Sequence, residues 1–376
     1  MFPQYFAAEL DQYIDPNSYT FAENLTFDLH DIVNILLRER LLSEPRFKHS
    51  QLLEVCDGSW PVSTVPLKVQ EMWSSLGSPK VGYFLTEDAG VSDADPPVEP
   101  HNFLRPNVIS ARELDTEEVE TMYWRIKHHD SGFILCSALQ LVLDTLPQST
   151  SLRVRTSQGF AMTCGAQSFV VAEMQVFPKE TTYICNFKPR PDIEPTKVEM
   201  LQYLTGEKLE SIPWIYLVFG EPTLETPNFI ADKRVAVDLV SPMLGMRGPG
   251  GETFVMESMN TYHHKILPRY ATADLDHVIS YRINPQVKQQ AIQPMEIAMR
   301  VLSRLEKIAR GEEAYCGYCG KTAPKAQCSR CRKKTKYCAA ACQKKAWKYH
   351  KTWCKIDAAS EHENDMKDTD VAMDDA

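Results

Sequence analysis

The chain has 376 residues, with 41 Lys and Arg against 50 Asp and Glu, 43% hydrophobic residues and 11 cysteines. That length supports two or three domains around a sizeable core, and ordinary hydrophobic content with 16 Gly and 24 Pro excludes disorder throughout. No run approaches the roughly 20 apolar residues of a spanning helix, and the start, Met1 to Asp11, shows no basic leader, so a non-membrane intracellular protein is expected, in the nucleus or the cytoplasm.

Residues 27–42 place Leu29, Ile32, Val33, Leu36 and Leu37 at helical spacing, with Thr26 positioned to cap. Residues 91–106, rich in Pro, Asp and Ser, read as an exposed loop, and two further helices are expected over 116–128 and 133–146, the second stopped before Pro147. After Pro147 the period becomes two. Leu152 and Val154 alternate with Arg153 and Arg155, Val170 to Val176 alternates likewise, and 181–187, 215–219 and 235–240 are β-rich runs between turn signals. Helices first and strands afterwards predict an α+β domain over residues 1–292 with a mostly antiparallel sheet. A connecting helix over 293–311 follows. Pro294 is expected in its first turn, Ile297, Ala298, Val301, Leu302, Leu305 and Ile308 on one face, and Gly311 as its stop.

This large domain shows no catalytic pattern. His128-His129-Asp130 and His263-His264 lack partners at metal spacing and are expected as surface histidines. Gly245, Gly248, Gly250 and Gly251 precede no Gly-Lys-Ser/Thr and read as a hairpin connection, and no Gly-x-Ser-x-Gly elbow occurs. No enzymatic activity is expected, the alternative being one that these motifs do not reveal. Cys56, Cys136, Cys164 and Cys185 lie in apolar contexts and read as buried structural thiols.

The net charge of −9 is unevenly distributed. Residues 316–355 hold 12 Lys and Arg and no acid, while 357–376 hold eight acids and one Lys, leaving −14 for the remainder. The last segment reads as a disordered acidic tail that could shield the basic region before it.

Seven of the 11 cysteines fall in that basic region, in the order Cys316-x2-Cys319-x8-Cys328-x2-Cys331-x6-Cys338-x3-Cys342-x7-His350-x3-Cys354. A two-residue gap lets two thiolates converge on one ion from a tight turn, and a three-residue gap puts two ligands on one face of a helix. Two knuckle pairs followed by two helical pairs are therefore expected. Eight ligands make two closed four-coordinate sites, the coordination of structural zinc. Spacing alone leaves open which pairs share an ion.

Tyr337-Cys338, Cys342-Gln343-Lys344, Trp347, His350-Lys351 and Cys354 within this spacing resemble the MYND zinc finger, over residues 312–356. The resemblance implies interleaved, cross-braced sites: one Zn2+ on Cys316, Cys319, Cys338 and Cys342, the other on Cys328, Cys331, His350 and Cys354. Seven thiolates, one neutral imidazole and two zinc ions would leave residues 316–355 near +9 once their 12 basic side chains are counted. In corepressors of this family the finger binds short proline-containing peptides in extended form. The corresponding positions here are Ser329, Gln343 and Trp347, which implies a protein partner and a role as an adaptor or regulator, including in transcription. Nucleic acid is the second candidate partner, because Tyr337, Trp347, Tyr349 and Trp353 are interleaved with Lys. The resemblance to SET-domain methyltransferases with such fingers stops short of catalysis, since no Asn-His-Ser or Asn-His-Cys motif occurs and only 22 residues follow Cys354. Arg332-Lys333-Lys334 reads as either an import signal or plain finger surface, so nucleus and cytoplasm both stay open, the nucleus slightly favoured.

Overall fold

Strand β1 (Thr26–Asp28) leads directly into helix α1 (Leu29–Leu42), so Asp28 rather than Thr26 is the N-cap. Thr26 is held in the sheet instead, paired with Ser151. The computed structural model describes residues 18–58, 65–110, 113–189, 198–207, 210–220, 234–274, 276–283, 288–331 and 335–369.

Strand β2 (Gln51–Cys56), helix α2 (Leu67–Ser75) and strands β3 (Lys80–Thr86) and β4 (Leu104–Ser110) follow α1. Helix α3 (Thr116–Lys127) starts at a capping box between Asp115 and Glu118, and α4 (Gly132–Thr145) comes next. Strands β5 (Ser151–Thr156), β6 (Gly159–Gly165), β7 (Phe169–Pro178), β8 (Thr181–Pro189), β9 (Val198–Thr205) and β10 (Ile212–Phe219) succeed one another, then β11 (Val235–Asp238), β12 (Val255–Ser258), β13 (Ala271–Ala273) and β14 (Val278–Ser280). Helix α5 (Lys288–Ala309) ends the large domain.

Among the described residues these strands form three sheets, in the orders β1-β5-β6, β12-β11-β10-β7-β13 with β14 also on β7, and β4-β2-β3-β8-β9. The domain is α+β, and its pairings are mostly antiparallel; β1 with β5, β2 with β4 and β3 with β8 are parallel.

The order of elements corrects the expectation of helices first and strands afterwards, because β2, β3 and β4 precede α3. They show no clean alternation. α3 covers one face of their sheet, through Tyr123 and Ile126, and α2 the other, through Trp73 against Phe84, Tyr183 and Cys185, so apolar residues occupy both faces of the strands. The expected 91–106 loop is also shorter, ending where β4 begins at Leu104.

The largest core lies between helices α1, α4 and α5 and the six-stranded sheet, with Leu36, Leu139 and Val301 buried alongside Val171, Tyr216 and Val237. Helix α5, expected as a connector, buries Ile297, Ala298, Val301, Leu302 and Leu305 in that core. It also starts earlier than expected, so Pro294 lies inside it, beyond the first turn that tolerates proline most easily. Packing of its apolar face outweighs that local cost.

Cys56, Cys136 and Cys185 are buried and Cys164 half-buried. Burial pushes the thiol of Cys185 up to about 12 and that of Cys164 to about 11, as expected of structural thiols. The histidines are a correction: His128, His129 and His263 are buried, not on the surface. His129 Nε2 meets Thr205 Oγ1 at 2.8 Å and His263 Nε2 meets the Tyr216 hydroxyl at 2.9 Å, while the His128 ring lies 5.0 Å from that of Trp124. Burial depresses their pKa values to about 3 for His128, about 4 for His129 and about 3 for His263. No helix among the described residues is long and apolar enough to cross a membrane.

A small cysteine-rich region follows, with strands β15 (Ala326–Gln327) and β16 (Lys336–Tyr337) and helix α6 (Ala340–Thr369). The acidic segment expected as a disordered tail continues α6 as far as Thr369; Ala358 and Ala359 favour helix and no Gly or Pro interrupts it. Residues 370–376 lie outside the described residues, as do Arg332, Lys333 and Lys334.

Candidate metal centre and its seat on the large domain

Each ligand is positioned by a small local motif. The Cys316–Cys319 knuckle is closed by the Gly320 N–H on the Cys316 carbonyl at 2.9 Å, and Gly320 adopts φ +66°, where a side chain would be strained. The Cys328 N–H donates to the Thr335 carbonyl at 3.0 Å, folding the second knuckle onto the approach to β16. The β15–β16 ladder pairs Ala326 with Tyr337 and so carries Cys338 back to the first knuckle. Helix α6 supplies Cys342 from its first turn and His350 and Cys354 one turn apart. Here the expectation of two helical pairs needs correction: Cys338 precedes the helix, which begins at Ala340.

The structure gathers two groups, Cys316, Cys319, Cys338 and Cys342 in one, and Cys328, Cys331, His350 and Cys354 in the other, with all ligand atoms of a group within 4.8 Å of one another. They are cross-braced in the manner the resemblance implies. In the first, Cys319 Sγ is 3.5 Å from Cys338 Sγ and 4.0 Å from Cys342 Sγ; in the second, Cys328 and Cys354 are 3.8 Å apart and Cys331 Sγ is 3.5 Å from His350 Nε2. Tetrahedral zinc with Zn–S bonds of about 2.3 Å spaces its sulfurs by about 3.8 Å, so the donor sets fit that ion. Four adjacent thiolates require a cation between them.

The finger is seated on the large domain through buried contacts that the sequence did not announce. Tyr349 and Trp353 of α6 flank the His30 ring at 4.6 and 4.9 Å, with Phe254 at 5.1 Å on another side. The Trp353 indole N–H donates to the Thr156 carbonyl at 3.2 Å. Glu120 of α3 accepts from the Tyr318 hydroxyl at 2.7 Å, from Arg247 at 3.1 Å and from Lys345 at 3.0 Å. Arg304 of α5 donates to the Gly320 carbonyl at 2.7 Å, and Asn34 of α1 to that of Gly317 at 3.3 Å. Residues 245–251 do connect the antiparallel strands β11 and β12, and their glycines serve a second purpose. A Cβ on Gly250 would lie 2.6 Å from that of Tyr349, so the loop can lie against α6 only without one. Gly-rich composition was the single sequence signal of this interface.

The three peptide-contact candidates differ in setting. Ser329 is exposed, Gln343 half-buried, and Trp347 38% exposed, its ring 6.0 Å from that of His350. The other aromatics between Cys316 and Cys354, namely Tyr318, Tyr337, Tyr349 and Trp353, are all buried, and Tyr315 just before them is half-buried.

Residues 316–354 match the family model of the MYND finger. Among curated proteins, the MYND-type zinc finger protein samB of Aspergillus clavatus is 50% identical over 64 residues, 15% of this chain and 10% of that protein. Those of Emericella nidulans and Aspergillus terreus are 44% identical over 63 residues and 45% over 64, with the same shares. The match therefore spans about a tenth of the relatives' own length. No solved structure matches the chain. The chain carries a C-terminal MYND-type zinc finger, a module that generally mediates protein interactions, behind a large α+β domain outside the family match.

Proposed function

We propose that this protein is an intracellular adaptor or regulator, whose finger binds two structural Zn2+ ions and receives a protein partner on the Gln343 and Trp347 face of α6, with Ser329 at its edge. Each donor set supplies four protein ligands and leaves no open position, so the metal organises the fold and does no chemistry on a substrate. The observation that carries the reading is the exposure of Trp347 where every other aromatic from Cys316 to Cys354 is buried. An indole beside a carboxamide one turn away offers an apolar wall and a hydrogen-bonding group to an extended proline-containing segment. Transcriptional regulation in the nucleus belongs to this reading through the corepressor resemblance. The nucleic-acid alternative is weakened where Lys321, Lys345 and Lys348 pair with Glu99, Glu120 and Glu117 of the large domain.

Affinity capture with the full chain, compared with a Gln343→Ala, Trp347→Ala double variant, tests the reading when bound proteins and nucleic acids are recorded together. Protein partners should be lost in the variant while zinc content stays the same. If the captured set is unchanged, the peptide face is wrongly assigned.

A further inference from the structure

The basic side chains of α6 fall into two groups once the chain is folded. Lys345 and Lys348 turn toward the large domain and are neutralised there by Glu120 and Glu117, at 3.0 and 2.6 Å. Lys344 and Lys351 are exposed, and neither has an ion-pair partner among the described residues. At 3.6 residues per turn, Lys344, Trp347 and Lys351 follow at i, i+3 and i+7 and form one stripe. Gln343 borders that stripe one turn before Trp347. The exposed indole therefore stands between two ammonium groups that form no ion pair among the described residues, Lys344 at the rim of the cleft that Glu117 and Glu120 line and Lys351 beyond it.

The acidic residues of 357–369 are poorly placed to compensate them. The backbone of 357–369 continues α6, so Asp357 lies about 15 Å further along the axis than Trp347, and the segment does not fold back over the finger as a shielding tail would.

Resting on the reading of Trp347 as a peptide contact, we infer that the partner segment is acidic as well as proline-containing, with Asp or Glu beside the proline that packs on Trp347. Lys344 and Lys351 are then specificity-determining residues. Exposed charge of this kind contributes selectivity and association rate more than affinity, and its effect declines as salt screens it.

The test uses the full zinc-loaded chain and a displayed library of peptides with one fixed proline flanked by randomised positions. Selection at low salt should enrich Asp and Glu at least about threefold next to the proline. The Lys344→Glu, Lys351→Glu variant should lose that enrichment and bind the selected peptides about tenfold more weakly, whereas Lys307→Glu, Lys325→Glu, the same charge change at exposed positions off the stripe, should keep it. Proline-containing binders without acidic enrichment would overturn the inference and leave the Trp347 site standing. Failure to select any proline-containing binder would overturn both. A second arm titrates a 20-nucleotide oligo-dT: binding as tight as the best peptide and equally dependent on Lys344 and Lys351 would assign the stripe to nucleic acid and reject the acidic peptide.

Discussion

Tyr318, in the first zinc knuckle, donates its hydroxyl to Glu120 of α3 at 2.7 Å across 198 positions of sequence. Glu120 is buried and also receives Arg247 and Lys345, so one carboxylate ties the finger, the β11–β12 connection and α3 together. Tyr318→Phe removes one of three donors and should cost about 1 kcal/mol of stability, whereas Glu120→Ala leaves the Arg247 guanidinium without its charge partner and should cost about 3 kcal/mol or more. Urea unfolding of both variants measures the ratio, and equal costs would show that the carboxylate is not the shared anchor.

Removing the metal should be felt beyond the finger. From the sequence alone, replacing Cys338 or His350 by Ala would be expected to unfold the finger and release one or both ions while leaving the large domain folded. The seat of Tyr349 and Trp353 around His30 adds a stability cost to that expectation, because each buried aromatic released to water forfeits about 2 kcal/mol of burial. The large domain should remain folded after chelation, yet melt several degrees lower. Calorimetry with and without chelator, alongside metal analysis expected to find two zinc ions per chain, provides the measurement. An unmoved transition for the large domain would mean that the interface contributes no stability.

Gly320 is irreplaceable for two separate reasons. Its φ of +66° disfavours a side chain, and a Cβ there would lie 2.3 Å from the Asn34 carbonyl oxygen of α1. Gly320→Ala should cost about 2 to 3 kcal/mol and pry the first knuckle off α1. Thermal unfolding reports the cost, and a variant as stable as the parent would contradict the close approach.

The buried histidines should make the protein acid-sensitive in a defined window. His128 is held neutral in the folded chain, its pKa lowered by burial to about 3, while in the unfolded chain it protonates near 6.5. Between those values the unfolded state binds one more proton, so stability is full above about 6.5 and falls as the pH drops toward 3. His128→Phe should flatten the dependence near pH 5 by about 1.4 kcal/mol per pH unit. Urea titrations of parent and variant from pH 5 to 8 with zinc present should diverge only below about 6.5, and parallel profiles would contradict a buried neutral ring.

Much of this protein can be read without its fold. Local sequence signals located α1, α3 and α4 to within a few residues, although each is buried on more than one face, and the strands after Pro147 declared themselves by alternation or as β-rich runs between turn signals. The eight ligands were legible because metal chemistry constrains residue type and local spacing, which are properties of neighbouring positions. What the sequence concealed depends on positions far apart. The parallel pair β3 and β8 joins residues about 100 positions from one another, and α5 looked like a linker because nothing local says which surface its apolar face meets. The partition of the lysines of α6 is of the same kind. Lys344 and Lys345 are adjacent and chemically identical in the sequence. Only the docking of the helix against α3 pairs the second with Glu120 and leaves the first exposed at the rim of that cleft, since an ion pair is decided by where two charges stand in space.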